Sequence, residues 1–295
     1  MKTEISVRWI FILNGDGMEK YNAIEHSIIT KYKKTLFHRF VGAVKDYRLI
    51  SPGDKIAVCI SGGKDSMLLA KLMQELSVHG DYPFDMEFIV MDPGYTPQNR
   101  QKIIDNAAIM NIPVRIFDTD IFSNVVNIEK NPCYLCARMR RGHLYKQAQE
   151  LGCNKIALGH HFDDVVETIL MGMLYGAQVQ TMMPRIKSTN YDGMELIRPM
   201  YYIREKDIIS WRNYNKLNFL QCACRFTENN AKADGTGNSK RQEIKHLIAE
   251  MKKVNPQVDI NIFRSVERVN LSTIIGYYYE DEEHNFLERF GETVS

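Results

Sequence analysis

Ile56-Ala57-Val58-Cys59-Ile60-Ser61-Gly62-Gly63-Lys64-Asp65-Ser66 is the stretch on which the reading of this chain turns. Ile56 to Ile60 is an unbroken apolar run with no polar alternation, the pattern of a strand buried on both faces. Helical spacing follows from Ser66 to Leu76. Between them, Gly62 and Gly63 let the backbone turn tightly and approach a ligand without a Cβ in the way. Backbone N–H groups at a helix start point at an anion, and the helix dipole assists. Lys64 adds a point charge, and the Ser61 and Ser66 hydroxyls add donors. The GxxxxGK[ST] spacing of a Walker A loop is absent. A serine-capped glycine turn has some of these features, but the whole string between a strand and a helix reads as a phosphate-binding loop.

Outward from this point the chain alternates. Asp85 to Met91, Val114 to Phe117 and Lys155 to Leu158 read as further strands. Pro97 to Met110, Leu135 to Leu151 and Val165 to Tyr175 read as helices between or after them. That order predicts an α/β fold with a parallel sheet and covering helices on both faces. Met194 to Tyr202 is expected to add an edge strand and Arg204 to Leu217 a helix. Glu19 to Tyr47 has helical spacing, with Ile24, Ile28, Leu36, Phe40 and Val44 on one side and bases on the other. Asn14-Gly15-Asp16-Gly17 reads as a turn after a poorly patterned start. Glu228 to Ser239 is a loop by composition, Lys240 to Lys252 and Ile260 to Val269 are helical, and Glu280 to Ser295 is expected to be an exposed acidic tail. The expected divisions are an extension at 1–17, a basic N-terminal helix at 18–50, a catalytic domain at 51–227, a loop with C-terminal helices at 228–279, and the tail at 280–295.

Gly159-His160-His161-Phe162-Asp163-Asp164 follows the fourth strand, at the end where α/β sheets place ligands. Gly159 allows backbone to approach a nucleotide, and His160 reads as a nucleotide contact rather than a metal ligand. Asp163, Asp164 and, a turn later, Glu167 are spaced to share a helix face. Carboxylates there suit Mg2+ beside phosphates, although acids at a helix start are also favoured by the dipole alone. At the strand ends, Ile60, Val90 and Met91 are candidate adenine-side contacts.

Cys133-Tyr134-Leu135-Cys136 opens a basic helix, and Cys222-Ala223-Cys224 lies far downstream. Two cysteines three apart at a helix start can reach one metal centre, and the neighbouring arginines favour thiolates. All four cysteines suit a structural zinc. Three suit a [4Fe–4S] cluster with one iron left open for sulfide. Cys59 and Cys153 read as plain packing residues.

The chain has 295 residues, 44% hydrophobic and 25% charged, which is ordinary globular composition. It is long enough to bury a core without disulfides, so its six cysteines are not needed as staples. No apolar run reaches the ~20 residues of a membrane helix, and Trp9 to Leu13 is too short for a signal-peptide core. A cytoplasmic protein with reduced cysteines and no membrane partner is expected. Lysines and arginines number 38 against 36 acids. Glu280 to Ser295 holds six of the acids and one base, so the rest of the chain carries +7. Lys31, Lys33, Lys34, Arg39, Lys45 and Arg48 form one basic stretch. Lys130, Arg138, Arg140, Arg141 and Lys146 form another. Each fits a phosphate backbone or a solvated helix face.

The loop SGGKDS resembles the signature of the PP-loop ATP pyrophosphatases, which transfer AMP to a substrate oxygen and release pyrophosphate. With PCYLCARMRRGHLYKQAQELG, KIALGHHFDD and IRPMYYIREKDI following in order, the chain is similar to the TtcA-type tRNA 2-thiocytidine synthetases from about Glu19 to Cys224. The resemblance implies an adenine nucleotide alpha-hydrolase-like core and an ATP-dependent tRNA thiolase acting at C2 of cytidine 32 in the anticodon loop. It implies ATP, Mg2+ and a [4Fe–4S] cluster on Cys133, Cys136 and a third cysteine. That third ligand is Cys224, or Cys222 in the alternative, because this chain has CxC where the family has CxxC. Ser61, Gly62, Gly63, Lys64, Asp65, Ser66, Met91, Gly159 and His160 would bind nucleotide, with Asp65 and Asp164 toward Mg2+. Lys64, Asp164 and Arg140 would be catalytic. Arg138 and Arg141 share a helix face, and Arg140 points elsewhere. Tyr134 or Phe162 could stack on a base. Expected partners are tRNA, a sulfur donor such as a cysteine desulfurase, and a second copy in a homodimer. Two other readings are a PP-loop enzyme adenylating another substrate, as amidotransferases do, and a zinc-stabilised RNA-binding protein with an inactive nucleotide site.

Overall fold

The computed structural model describes residues 15–81, 83–121, 132–220 and 240–291, with side chains from 21 in the first segment and 138 in the third. Cys222, Cys224, nearly all of the expected extension 1–17 and the loop 228–239 lie outside the described residues, as do the side chains of Cys133, Tyr134 and Cys136. The chain divides into two compact units, Met1–Val165 with Met182–Ser239, and Val166–Thr181 with Lys240–Ser295.

The first unit is built on a six-stranded sheet. Its strands are β1 (Lys55–Ile60), β2 (Asp85–Asp92), β3 (Val114–Asp118), β4 (Lys155–Ala157), β5 (Arg185–Lys187) and β6 (Glu195–Ile197). The spatial order is β3-β2-β1-β4-β6-β5. All neighbours are parallel except β5 on β6. Helices α1 (Gly15–Ile29), α2 (His38–Asp46), α3 (Lys64–His79), α4 (Pro97–Ile109), α5 (Pro132–Glu150) and α6 (Phe162–Gly176) follow in chain order, then α7 (Glu205–Tyr214).

Alternate residues of β1 and β2 enter two separate cores, as the two-residue period of a strand requires. Ile56, Val58, Ile60, Phe88 and Val90 pack with α3 and the N-terminal helices. Ala57, Cys59, Ile89 and Met91 pack with Tyr145 and Ala148 of α5. Both faces are therefore covered, and continuous apolar runs are what such strands need. Lys71 of α3 is fully buried and ties its own helix to α1 and α4, bonding Glu25 at 2.5 Å and the Met110 carbonyl at 3.1 Å.

Two expectations for the first unit change. The helical stretch Glu19 to Tyr47 is broken by a π-helical segment, Lys33–Phe37. Its large buried residues, Ile24, Ile28, Tyr32, Leu36, Phe40 and Val44, recur every four positions. A step of four drifts about 40° round an α-helix, so a continuous helix would carry this stripe away from the core. A wider turn in mid-course corrects the drift. Second, the strand expected at the edge, Glu195–Ile197, is internal; the edge on that side is β5, antiparallel to it. β5 has no apolar run to reveal it. It is held partly by Arg185, which donates to both carboxylate oxygens of Glu195 at 2.9 and 2.7 Å.

In the second unit, α8 (Lys240–Val254) and α9 (Val258–Ser265) precede a hairpin of β7 (Gly276–Tyr279) and β8 (Glu282–Asn285). Glu167 on α6 is buried and pairs with Arg241 at 2.7 Å and Lys245 at 3.6 Å, both on α8. Part of the stretch expected as an acidic tail is thus folded. Glu280 and Asp281 form the hairpin turn at positive φ, and a capping box at Asn285 and Glu288 starts a short 3-10 helix, Phe286–Phe290.

At the end of the sheet where β1 and β4 begin, Asp54 accepts from Ser51 N at 2.6 Å, Asn154 Nδ2 at 2.7 Å and Lys155 Nζ at 2.6 Å. Burial would raise its pKa; these three bonds outweigh it and hold the carboxyl below its ordinary value. The stabilisation is therefore full above the ordinary pKa of 3.8 and is lost as pH falls through the lower folded value. Asp54→Ala takes from the buried Lys155 its nearest carboxylate, leaving Glu195 at 3.4 Å, and should cost about 2 kcal/mol. Urea unfolding at pH 7 checks this, and the gap between variant and wild type should close in acid.

Candidate nucleotide and catalytic site

The strand order reverses at β1: the chain builds β2 and β3 on one side of it, then β4 and β6 on the other. No connection crosses the gap between the ends of β1 and β4, and such a switch point opens a crevice. The loop Ser61–Gly63 leaves β1 there, and Leu158–His161 leaves β4. The two motifs, almost a hundred residues apart in the chain, are thereby brought into contact.

Gly159 shows how close the contact is. A Cβ on it would lie 3.1 Å from Asp65 C and Ser66 N and 3.2 Å from Asp65 O. Gly62 has φ +82°, and a Cβ there would lie 2.6 Å from Ile103 Cγ1. Ser66 Oγ accepts from Ser61 N and donates to Gly63 O, both at 3.1 Å, and lies 3.2 Å from Ser61 Oγ. Ser66 thus closes the loop on itself.

Lys64 Nζ sits 3.1 Å from both Asp65 Oδ2 and Glu205 Oε1. Burial lowers its pKa, but the two carboxylates outweigh this and raise it, so the lysine is cationic. Asp65 Oδ1 is buried and has no hydrogen-bond partner among the described residues. His161 is 3% exposed. Its Nε2 lies 3.5 Å from Asp164 Oδ2 and 3.8 Å from Asp65 Oδ1, and its Nδ1 lies 3.7 Å from Asp163 Oδ2. Asp164 also reaches back to accept from His161 N at 3.0 Å, capping α6. Asp163 Oδ2 accepts from Glu205 N at 2.7 Å and so joins the starts of α6 and α7. Arg204 stacks its guanidinium 4.0 Å from the Phe162 ring centroid.

Of the other expected site residues, Met91 is buried in the core on the α5 face and Ile60 and Val90 in the core on the opposite face. At the end of β2, Asp92 accepts from Gly94 N at 2.9 Å, Tyr95 N at 2.7 Å and Arg100 Nη1 at 2.8 Å, shaping the turn into α4. On α5, Arg138 and Arg141 are exposed and Arg140 is half-buried, in keeping with the helical spacing. α5 begins at Pro132, so Cys133 and Cys136 fall in its first turns. Leu220, two positions before Cys222, donates its N–H to Gly62 O at 3.2 Å. Cys59 and Cys153 are buried, and burial pushes both thiols up, Cys153 to about 11. Glu205 was not among the expected site residues, His161 had no assigned role, and Asp163 stood only as one of the helix-start carboxylates suited to Mg2+. Glu205 lies inside the IRPMYYIREKDI run, which is the one trace of it in the sequence.

This sheet, reversing at a crevice with a glycine-rich loop on one lip and a Gly-His-His-Phe-Asp-Asp turn on the other, has the architecture of a PP-loop domain. Residues 29–248 match the family model described as PP-loop domain. The tRNA-cytidine(32) 2-sulfurtransferase of Coxiella burnetii strain RSA 493 is 35% identical over 264 residues, covering 88% of this chain and 97% of that protein. The enzyme of the same name from Neisseria meningitidis serogroup C is 36% identical over 198 residues, covering 65% of this chain and 61% of its own. The chain belongs to the tRNA-cytidine(32) 2-sulfurtransferase family. The U34-tRNA thiolase NcsA of Methanococcus maripaludis, solved with its [4Fe-4S] cluster, shares the fold at a TM-score of 0.61 and 21% identity over 79% of this chain and 77% of its own.

Gly62→Ala combines positive-φ strain with an overlap on Ile103 and should lower stability by about 2 kcal/mol. Gly159→Ala should cost about 1 kcal/mol or more, because its Cβ meets backbone that cannot rotate away. Urea denaturation of each variant measures both.

Proposed function

We propose that this protein is an ATP-dependent tRNA sulfurtransferase that converts cytidine 32 of the anticodon loop to 2-thiocytidine. The observation that carries the reading is the seating of Gly159 against the Asp65–Ser66 backbone, which makes one crevice of the two motifs. The C2 oxygen of cytidine is a poor leaving group. Its attack on the α-phosphorus of ATP expels pyrophosphate and leaves the oxygen bonded to AMP. Sulfur then bonds to C2 as the C2–O bond breaks, and AMP departs with the oxygen.

Ser61, Gly62, Gly63 and Lys64 hold the β- and γ-phosphates through loop N–H groups and the ammonium, with Asp65 and Ser66 fixing the loop from its helix side. Lys64 is already charged and poised, exchanging its Glu205 contact for phosphate. Among the described residues no three His, Cys, Asp or Glu side chains form a metal site by themselves. The buried, unbonded Oδ1 of Asp65 fits one ligand position for Mg2+, with Asp164 nearby and phosphate oxygens completing the sphere. Gly159 and His160 line the nucleotide, Met91 backs the adenine side, and Arg140 faces the charge that develops during transfer.

Cys133, Cys136 and Cys224 would hold the [4Fe–4S] cluster; their soft thiolate set suits iron and sulfide. The backbone supports this ligand set in two ways. The first pair opens α5, and the chain approaching the third is bonded to the phosphate loop through Leu220. When bound, the cluster supplies an iron with no protein ligand, a seat for sulfide. The reading includes a sulfur donor such as a cysteine desulfurase, a homodimer and a cytoplasmic setting. No helix among the described residues is long and apolar enough to cross a membrane.

Purified without oxygen, the protein should carry about four irons per chain and little zinc. With ATP, Mg2+ and sulfide it should form 2-thiocytidine in tRNA, read by nucleoside analysis. Cys133→Ala should abolish the product while ATP binding survives, and Lys64→Ala should slow it by roughly 100-fold or more. A zinc protein that forms no thionucleoside would sink the reading, and activity that survives Cys133→Ala would favour adenylation of another substrate.

A further inference from the structure

Arg198 stands one residue beyond β6 and is 4% exposed. Its Nη1 donates to the Met183 carbonyl. Its Nε is buried and makes no hydrogen bond among the described residues, and no carboxylate there lies within ion-pair distance of the guanidinium. The charged neighbour that acts on it most is another cation, Arg141 of α5, exposed and likewise without a described ion-pair partner. Burial and then Arg141 push the Arg198 pKa down to about 10, against smaller opposing effects of Tyr201, Tyr145 and Asp164. A buried guanidinium facing a second arginine is unfavourable in the free protein, and buried charges are ordinarily paired.

Its place in the sheet says what could pair with it. β1, β4 and β6 are consecutive neighbours, and Leu158 N bonds Ile197 O at 3.0 Å. The phosphate loop, the Gly159–Asp164 turn and Arg198 therefore leave the same edge of the sheet in that order. Leu196 packs toward α5 and Ile197 away from it, so the strand alternation returns Arg198 to the α5 side. Two strand spacings, about 10 Å, separate the end of β1 from the end of β6. That distance puts Arg198 beyond the anion held by the Ser61–Ser66 loop.

We infer that Arg198, with Arg141 beside it, is a subsite for a second phosphate, a phosphate ester lying across the crevice from the phosphate loop. The ester is either a backbone phosphodiester of the RNA or the α-phosphate of ATP. The inference rests on the reading of the protein as a tRNA-adenylating enzyme.

Arg198→Met and Arg198→Lys are compared with wild type for urea unfolding, for ATP binding, and for binding of an unmodified tRNA transcript at several salt concentrations. Met removes an unpaired buried charge, so its urea midpoint should equal or exceed that of wild type. An RNA phosphodiester predicts at least tenfold weaker tRNA binding, a salt slope smaller by about 0.7 to 0.9, and unchanged ATP affinity. The α-phosphate predicts at least tenfold weaker ATP binding with tRNA binding intact. Lys should retain part of either affinity. A lower urea midpoint with both affinities unchanged, or no change in any measurement, would overturn the subsite and make Arg198 a packing residue. Binding is read independently of thiolation. A wild type that binds both ligands yet forms no 2-thiocytidine would refute the proposed reaction and leave the subsite standing.

Discussion

The molecule depends on the absence of one methyl group. β1 and β4 run side by side and parallel, and the turns that follow them must share the space above the sheet. Gly159 makes this possible by letting the backbone of the second turn rest on the peptide between Asp65 and Ser66. With that contact made, the first turn of α3 is fixed, Ser66 can close the anion loop, and the start of α6 lies beside the start of α3. A Cβ at 159 would lie 3.1 Å from that backbone and press the two lips apart by a few tenths of an ångström.

Charge in the crevice is divided between structure and chemistry. Asp163 and Asp164 come as a pair in the sequence and look equivalent there, but each has a bond to a different helix start: Asp163 to the backbone of Glu205, Asp164 to that of His161. Asp65 keeps one oxygen bare. Glu205, from a third helix, completes the surroundings of Lys64. The lysine is thus held between two carboxylates in a partly dry setting, where displacement of one of them by phosphate changes the local field more than it would in water.

β1 to β4 could be read from the chain because buried parallel strands demand unbroken apolar runs, and Ile56–Ile60 and Phe88–Met91 are such runs. The tight turn between β1 and α3 was equally legible, because its glycines stand between an apolar run and a helical one. The parts that escaped notice have no local signature. Arg185–Lys187 is a strand because the backbone of Glu195–Ile197 pairs with it. Glu205 belongs to the crevice only because α7 starts beside α6. The break after Ile29 follows from a four-residue spacing that looks helical in any short window and betrays itself only over the six positions from Ile24 to Val44. Glu167 had the right spacing to join Asp163 and Asp164, but it is buried and engaged instead by Arg241 and Lys245, two partly exposed bases on α8.

The two sequestered thiols carry a last consequence. Cys59 lies in the middle strand and Cys153 just before β4, both enclosed by hydrocarbon and protonated at neutral pH. Neither can serve as a nucleophile, take up a soft metal or be drawn into persulfide exchange while the sheet is intact. Of the six sulfhydryls the chain possesses, only those at 133, 136, 222 and 224 remain for inorganic chemistry, and a mixed disulfide found at either of the other two would report an unfolded molecule.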